Sequence, residues 1–213
     1  SNAVDVIVCD VMMPVMDGIQ FTKYIKSNLD YCHIPIILLT AKTSDNDRED
    51  GYNSGADGYI TKPFQLSVLQ ARIKNLLAAR RRMQVKFKDK AFFELKELHY
   101  TDMDEDFLQR AINCVNNNLE DPEFDQARFV TEMGTSKSTL YNKLKSLTGL
   151  NTSSFINNIR LKAACKMLKE NPAIRVSDLA YMVGFNDPKY FSACFKKEYG
   201  MLVKDYIEKI LNE

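Results

Sequence analysis

Leu179-Ala180-Tyr181-Met182-Val183-Gly184-Phe185-Asn186-Asp187-Pro188-Lys189-Tyr190-Phe191-Ser192 reads as two short helices broken at Gly184. Glycine accepts the left-handed backbone that ends a helix sharply, and Asn186-Asp187-Pro188 offers a cap and a proline suited to the next first turn. Phe191 and Phe195 define a buried face and leave Lys189, Ser192, Ala193 and Lys196 outward. The pattern recurs at an offset of 51 residues, where Leu140 falls on Phe191, Leu144 on Phe195, Lys145 on Lys196, Gly149 on Gly200, Phe155 on Tyr206 and Ile156 on Ile207. Two copies of one helical unit are therefore predicted. In the first, Asp125 caps a helix through Met133, Gly134 makes the turn, and Ser136 caps a second helix over 137–147. Its inward residues are Leu140, Leu144 and Leu147; Ser138, Tyr141, Asn142 and Lys145 face out. The second copy runs from Val176 through Val183, and one long helix over 153–169 joins the two. From Asp106 onward every candidate element is a helix.

The other half has a different period. Residues 4–9, 34–39 and 58–60 are short, nearly continuous apolar runs, as expected of parallel strands covered on both faces. Between them, 19–27 and 45–54 read as helices, giving a βαβαβ order and an α/β sandwich. After Pro63 a helix with Leu66, Leu69, Ile73, Leu76 and Leu77 on one face runs out into Arg80-Arg81-Arg82, whose charge suits a helix C-terminus. Residues 83–104, charged but carrying Phe87, Phe92, Phe93 and Leu95, read as a linker that packs.

Composition excludes several classes. Ser1-Asn2-Ala3 reads as a scar of tag removal, with the natural sequence entering at Val4. No apolar run is long enough to span a bilayer, so a cytoplasmic protein, or the cytoplasmic part of a membrane-anchored one, is expected. The five cysteines are scattered without metal-ligand spacing, and the two histidines are isolated, so a zinc or histidine-dependent catalytic site is not expected. The net charge of +1 conceals an asymmetry: residues 4–78 hold 7 basic against 9 acidic side chains, whereas 127–204 hold 13 against 5. A basic segment of this size points to a polyanionic partner.

Asp10, Thr40 and Lys62 all fall at or just beyond strand ends, where open parallel sheets bind ligands. A carboxylate, a hydroxyl and a fixed cation suit a phosphoryl group. The stretches Asp10-Val11-Met12-Met13-Pro14-Val15-Met16-Asp17-Gly18, Leu39-Thr40-Ala41 and Gly55-Ala56-Asp57-Gly58-Tyr59-Ile60-Thr61-Lys62-Pro63-Phe64 resemble the response-regulator receiver family. The resemblance implies Asp10 as phosphoacceptor, Thr40 and Tyr59 as switch residues, Lys62 as the phosphoryl contact, and a cis peptide bond before Pro63. It also implies Mg²⁺ in a complete receiver, held by Asp10, the Met12 carbonyl and an acidic pair on a first strand. Only the latter three strands of that partial flavodoxin-like sheet are matched, and the acidic pair is absent from this chain. The expectations are that no Mg²⁺ binds here, that Asp10 phosphorylates poorly, and that the Asp10 strand forms an edge covered by another chain or by rearrangement. A haloacid-dehalogenase-like phosphatase is the enzymatic rival, but it needs an Asp two residues after its nucleophile, where Met12 stands.

The stretch 179–192, followed by Phe195-Lys196-Lys197-Glu198-Tyr199-Gly200, is similar to the signature of AraC-type transcription regulators, departing at Val203 where that family commonly has proline. The resemblance implies an all-α domain of two helix-turn-helix units that reads double-stranded DNA, with Ser138, Tyr141, Asn142, Lys145, Lys189, Ser192 and Lys196 as contacts. The expected organisation is a partial receiver over 4–82, a linker over 83–104 and a DNA-binding domain over 105–213. Such a chain resembles the tail of a hybrid sensor-regulator, although a stand-alone regulator fits too. The implied partners are DNA, a histidine kinase domain in cis or in trans, and a second copy in a homodimer. No catalytic activity is expected of this chain, whereas the parent protein may carry the kinase.

Overall fold

The computed structural model describes residues 4–41, 54–89 and 100–212, in two compact units, Ser1–Val85 and Lys86–Glu213. The first holds β1 (Ile7–Asp10), α1 (Gly18–Ser27), β2 (Ile36–Thr40), β3 (Gly58–Thr61) and most of α2 (Leu66–Asp89). The strands form one parallel sheet in the order β1-β2-β3, with Cys9 beside Leu38 and Leu38 beside Tyr59. Ile36, Ile37 and Leu38 are wholly buried, which is why β2 is apolar without alternation and lies in the middle. β1 is one edge of the sheet among the described residues and β3 the other, and Val8 on β1 is exposed. β1 and β2 begin later than their apolar runs, β2 only after Pro35, which has no amide hydrogen to give to a ladder, whereas β3 begins with its run at Gly58.

Asp17 caps α1, its carboxylate accepting from the Gln20 amide at 2.7 Å, and Ile25 packs with Cys9, Val11, Ile36 and Leu38. The helix expected over 45–54 lies, but for Ser54, outside the described residues. The helix after Pro63 corrects a second expectation. It does not end at the arginine triplet but continues to Asp89, and Arg80 within it donates to the His33 carbonyl at 2.7 Å and the Asp5 carbonyl at 3.4 Å. The segment read as a linker therefore begins as helix, and α3 starts inside its other end at Asp102; residues 90–99 are not among those described.

The second unit is helical: the last turn of α2, α3 (Asp102–Asn117), α4 (Gln126–Met133), α5 (Lys137–Thr148), α6 (Thr152–Glu170), α7 (Val176–Met182), α8 (Pro188–Tyr199) and α9 (Val203–Leu211). The internal repeat is present in the bounds themselves. α5 and α8 superpose at the offset of 51, both ending on a left-handed glycine, Gly149 and Gly200, and α6 and α9 begin at the same offset. The turns differ by one residue: Gly134 precedes α5 by three positions, Gly184 precedes α8 by four. Caps lie where the sequence put them, Asp125 on α4, Ser136 on α5 and Asp187 on α8.

Two cores hold this unit. One is an aromatic stack, Phe87 on Phe155 (ring centroids 5.8 Å apart) and Phe155 on Phe129 (6.0 Å), with Leu140, Leu144 and Ile159 also buried. The other gathers Leu161, Leu168, Leu179, Val183, Phe185, Phe191 and Phe195, with Tyr199 and Tyr206 against it. An ion pair, Lys143 to Asp104 at 2.8 Å, is buried between α5 and α3.

Candidate functional site

Asp10 closes β1, and Lys62, just past the end of β3, donates its ammonium to the Asp10 carboxylate. The Met12 amide donates to the same carboxylate at 3.2 Å. Thr40 ends the strand between them; it is fully buried, and its carbonyl accepts from the Lys62 amide at 2.6 Å. The bond between Lys62 and Pro63 is cis. Asp10, Thr40 and Lys62 are thus brought to one end of the sheet, while Tyr59 packs half-buried against the Cys9 and Leu38 cluster. The Lys62 hydrogen bond, reinforced by the Met12 amide, holds the Asp10 carboxyl below its ordinary pKa. The Asp10 carboxylate is about a third exposed.

The loop after Asp10 is fixed by Gly18. Its amide donates to the Val11 carbonyl at 2.9 Å, and a Cβ there would stand 2.3 Å from the Asp10 carbonyl oxygen. No other residue allows the start of α1 to lie so close over the strand end. Val15 in this loop takes φ 72°, an uncommon state for a β-branched residue, and is fully exposed.

As a magnesium site the cluster is incomplete. No group of three or more His, Cys, Asp or Glu side chains suited to a metal occurs among the described residues, and the Asp10 carboxylate already faces the Lys62 ammonium.

In the second unit, Ser138, Tyr141, Asn142 and Lys145 on α5 are exposed, as are Lys189 and Lys196 on α8. Ser192 is half-buried, with its hydroxyl donating to the Pro188 carbonyl at 2.9 Å, and Lys145 reaches the Gly149 carbonyl at 3.1 Å. The opposite faces of both helices are buried through Leu140, Leu144, Phe191 and Phe195.

The response regulator receiver domain family matches residues 1–74, and a helix-turn-helix domain family matches residues 129–209. This chain joins a receiver domain to an AraC-type helix-turn-helix domain. It is 38% identical over 206 residues to histidine kinase P4 of Formosa agariphila, a match covering 97% of this chain and 15% of that protein. It is 28% identical over 163 residues to the probable transcriptional regulator ycf29 of Cyanophora paradoxa, covering 73% and 78% respectively. The signal receiver domain of a signal transduction histidine kinase from Syntrophus aciditrophicus is 40% identical over 37% of this chain and 59% of that one, with a TM-score of 0.34. The chain thus spans only a small part of the length of histidine kinase P4.

Sequence reasoning missed one anchor of the receiver domain. Lys26 lies 2.7 Å from Asp57 and 3.0 Å from the Ile34 carbonyl, and Asp57 accepts from the Ile36 amide at 2.8 Å. This ties α1 to the entries of β2 and β3, so that their far ends, where Thr40 and Lys62 stand, keep register. Asp57 lay in a quoted motif, but nothing in the spacing named its partner. Cys9, Cys32 and Cys165 are buried, and burial together with the Glu132 carboxylate pushes the Cys114 thiol up to about 12. No described helix is long and apolar enough to cross a membrane.

Proposed function

We propose that this chain is the DNA-reading output portion of a cytoplasmic two-component regulator, in which phosphorylation of Asp10 in the complete receiver domain sets DNA affinity. The observation that carries the reading is the pair of helices α5 and α8, each presenting an exposed polar face at repeat-related positions over a buried apolar one. Asn142 suits bidentate pairing with adenine, Tyr141 a thymine methyl, and Lys145, Lys196 and Lys189 the backbone phosphates, with Ser138 and Ser192 as further contacts. α6 spaces the units, and a spacing near one turn of duplex, roughly 34 Å, lets one chain read two adjacent major-groove segments.

At the receiver domain, an oxygen of Asp10 attacks the phosphorus of a phosphohistidine on a kinase domain. The P–N bond breaks, an acyl phosphate forms, and Lys62 meets the phosphoryl oxygens as charge develops. The modified receiver then shifts a dimerisation equilibrium that changes pairing of half-sites, with the β1 edge as a candidate contact. The similarity to a histidine kinase spanning nearly this whole chain supports the tail of a hybrid sensor; the coverage of ycf29 supports a stand-alone regulator as the second reading.

Two outcomes check these roles. Asn142→Ala should cost about 1–3 kcal/mol against an adenine-containing site and little against the same site with that base changed, whereas Lys145→Ala should weaken all duplexes alike and reduce the salt slope by about 1. Equal losses from Asn142→Ala on both duplexes would contradict base reading. With one carboxylate at the site, residues 1–213 should incorporate phosphate from acetyl phosphate and Mg²⁺ slowly, as followed by mass spectrometry; rapid labelling of Asp10 would show that the donor set is sufficient.

A further inference from the structure

Arg160 lies on α6 between Phe155, which belongs to the aromatic stack of the first helix-turn-helix, and Leu161, which belongs to the core of the second. It is only 5% exposed, so a permanent cation is buried where the two helix-turn-helix units meet. Its guanidinium donates to the Asp121 carbonyl at 2.6 Å and lies 6.0 Å from the Phe185 ring centroid, while its Nε has no partner among the described residues. A buried cation with a donor left over is weak support for stability, and the best attested use of such a group is to fix one arrangement over others.

The contacts on either side of Arg160 show which arrangement it fixes. Asp121 stands in the loop between α3 and α4, and its carboxylate pairs with Arg128 of α4, so the loop is bound to the first helix-turn-helix. Phe185 follows the turn of the second, and its ring meets Phe191 of α8 edge-on at 5.3 Å. The two backbones also approach closely here. A Cβ on Gly184 would stand 2.3 Å from the Leu119 carbonyl oxygen and 2.8 Å from the Arg160 guanidinium carbon, whereas a Cβ on Gly134, the glycine of the first turn, would meet nothing within 4 Å. Both glycines hold a positive φ, 77° and 63°, but only Gly184 is also needed for space. A tie thus runs from α4 through Arg128, Asp121, Arg160 and Phe185 to α8, in addition to the covalent connection through α6.

We infer that Arg160 is a positioning residue for DNA reading: it locks α8 at one orientation relative to α5 and thereby sets the separation of half-elements that the chain accepts. The inference rests on the DNA-binding reading above. Arg160 is buried, so it acts through the placement of the two reading helices. Two linked readers engage both half-elements only where their geometry matches, and an inserted base pair turns the second half-element by about a tenth of a turn. Held rigidly, the pair loses little freedom on binding and rejects a wrong separation; held by α6 alone, it gives up both properties.

The test uses the full chain, a duplex recovered by selection from a random library, and the same duplex with one base pair inserted between its half-elements. For the wild type the insertion should weaken binding about tenfold. In Arg160→Met, which keeps much of the bulk and removes the guanidinium, the selected duplex should bind about tenfold more weakly, and the insertion should weaken binding less than about twofold further. Changing the adenine assigned to Asn142 should cost both proteins the same factor, because neither reading face is altered. Arg128→Ala, at an exposed position on the far side of Asp121, should shrink the insertion penalty in the same direction with the cores left intact. A merely structural loss would weaken both duplexes by one factor and leave the insertion penalty at its wild-type value. That result in Arg160→Met, or in Arg128→Ala should Arg160→Met not fold, would overturn the positioning role while leaving the DNA-binding reading intact. Failure of the wild type to bind any duplex would overturn both.

Discussion

Replacing Phe87 by alanine is expected to lower the stability of the second unit by about 3–5 kcal/mol, the cost of emptying a closed aromatic site. Phe87 comes from the last turn of α2, yet it is wholly buried and stacks on Phe155, which stacks in turn on Phe129 of the first helix-turn-helix. Lys162 adds to the anchor: its ammonium lies 4.6 Å from the Phe87 ring centroid and donates to the Phe87 carbonyl. The same geometry makes the starting point of a truncated DNA-binding domain decisive. A chain starting at Lys86 keeps this residue, whereas one starting at Tyr100 leaves a hole against Phe155, and urea unfolding should separate the two by a similar margin. Equal midpoints would mean that the stack closes without Phe87.

The buried pair of Lys143 and Asp104 should give the second large effect. Lys143 is fully buried on α5, between Asn142 and Leu144, with its ammonium 5.1 Å from the Phe107 ring centroid and 2.8 Å from Asp104. Asp104 stands in the first turn of α3, where the helix dipole favours a negative charge. Lys143→Ala leaves that carboxylate buried beside an apolar wall and should cost about 3–5 kcal/mol. The double variant Lys143→Met with Asp104→Leu should recover most of the loss, since a well-packed apolar pair replaces a buried ion pair at little cost. Denaturant unfolding of the two singles and the double measures the coupling; additive losses would show that the pair is not one unit. The pair also holds α5 to α3, so DNA affinity in Lys143→Ala should fall along with stability.

What could be read from the sequence follows from the range of the interactions involved. The strands announced themselves because a strand covered on both faces must be apolar throughout, and Ile36, Ile37 and Leu38 are. The paired units were readable because caps, glycine turns and apolar spacing are local, and an offset of 51 could be checked by eye; α5 and α8 obey it at both ends. The cluster of Asp10 and Lys62 was readable only because strand ends of a parallel sheet converge, a rule of topology that brings together residues 52 apart. The rest depended on contacts that no local pattern encodes. Arg80 is held by carbonyls at Asp5 and His33, far away in sequence. Phe87 sat in a charged, irregular stretch and was expected to pack, but its partner is 68 residues on. Lys143 is a lysine between the exposed Asn142 and the buried Leu144, and its burial follows only once Asp104 is placed beside it.

The central claim is that α5 and α8 together read DNA, and the most direct measurement exposes the full chain to a random duplex library, recovers bound DNA over several rounds, and compares affinity for the enriched site at two salt concentrations. The expected result is one motif with two half-elements about one turn apart, binding more weakly as salt rises. The same selection with an enforced dimer covers the case in which a single chain binds too weakly to enrich. Absence of any enriched motif in both forms at low salt would contradict the account.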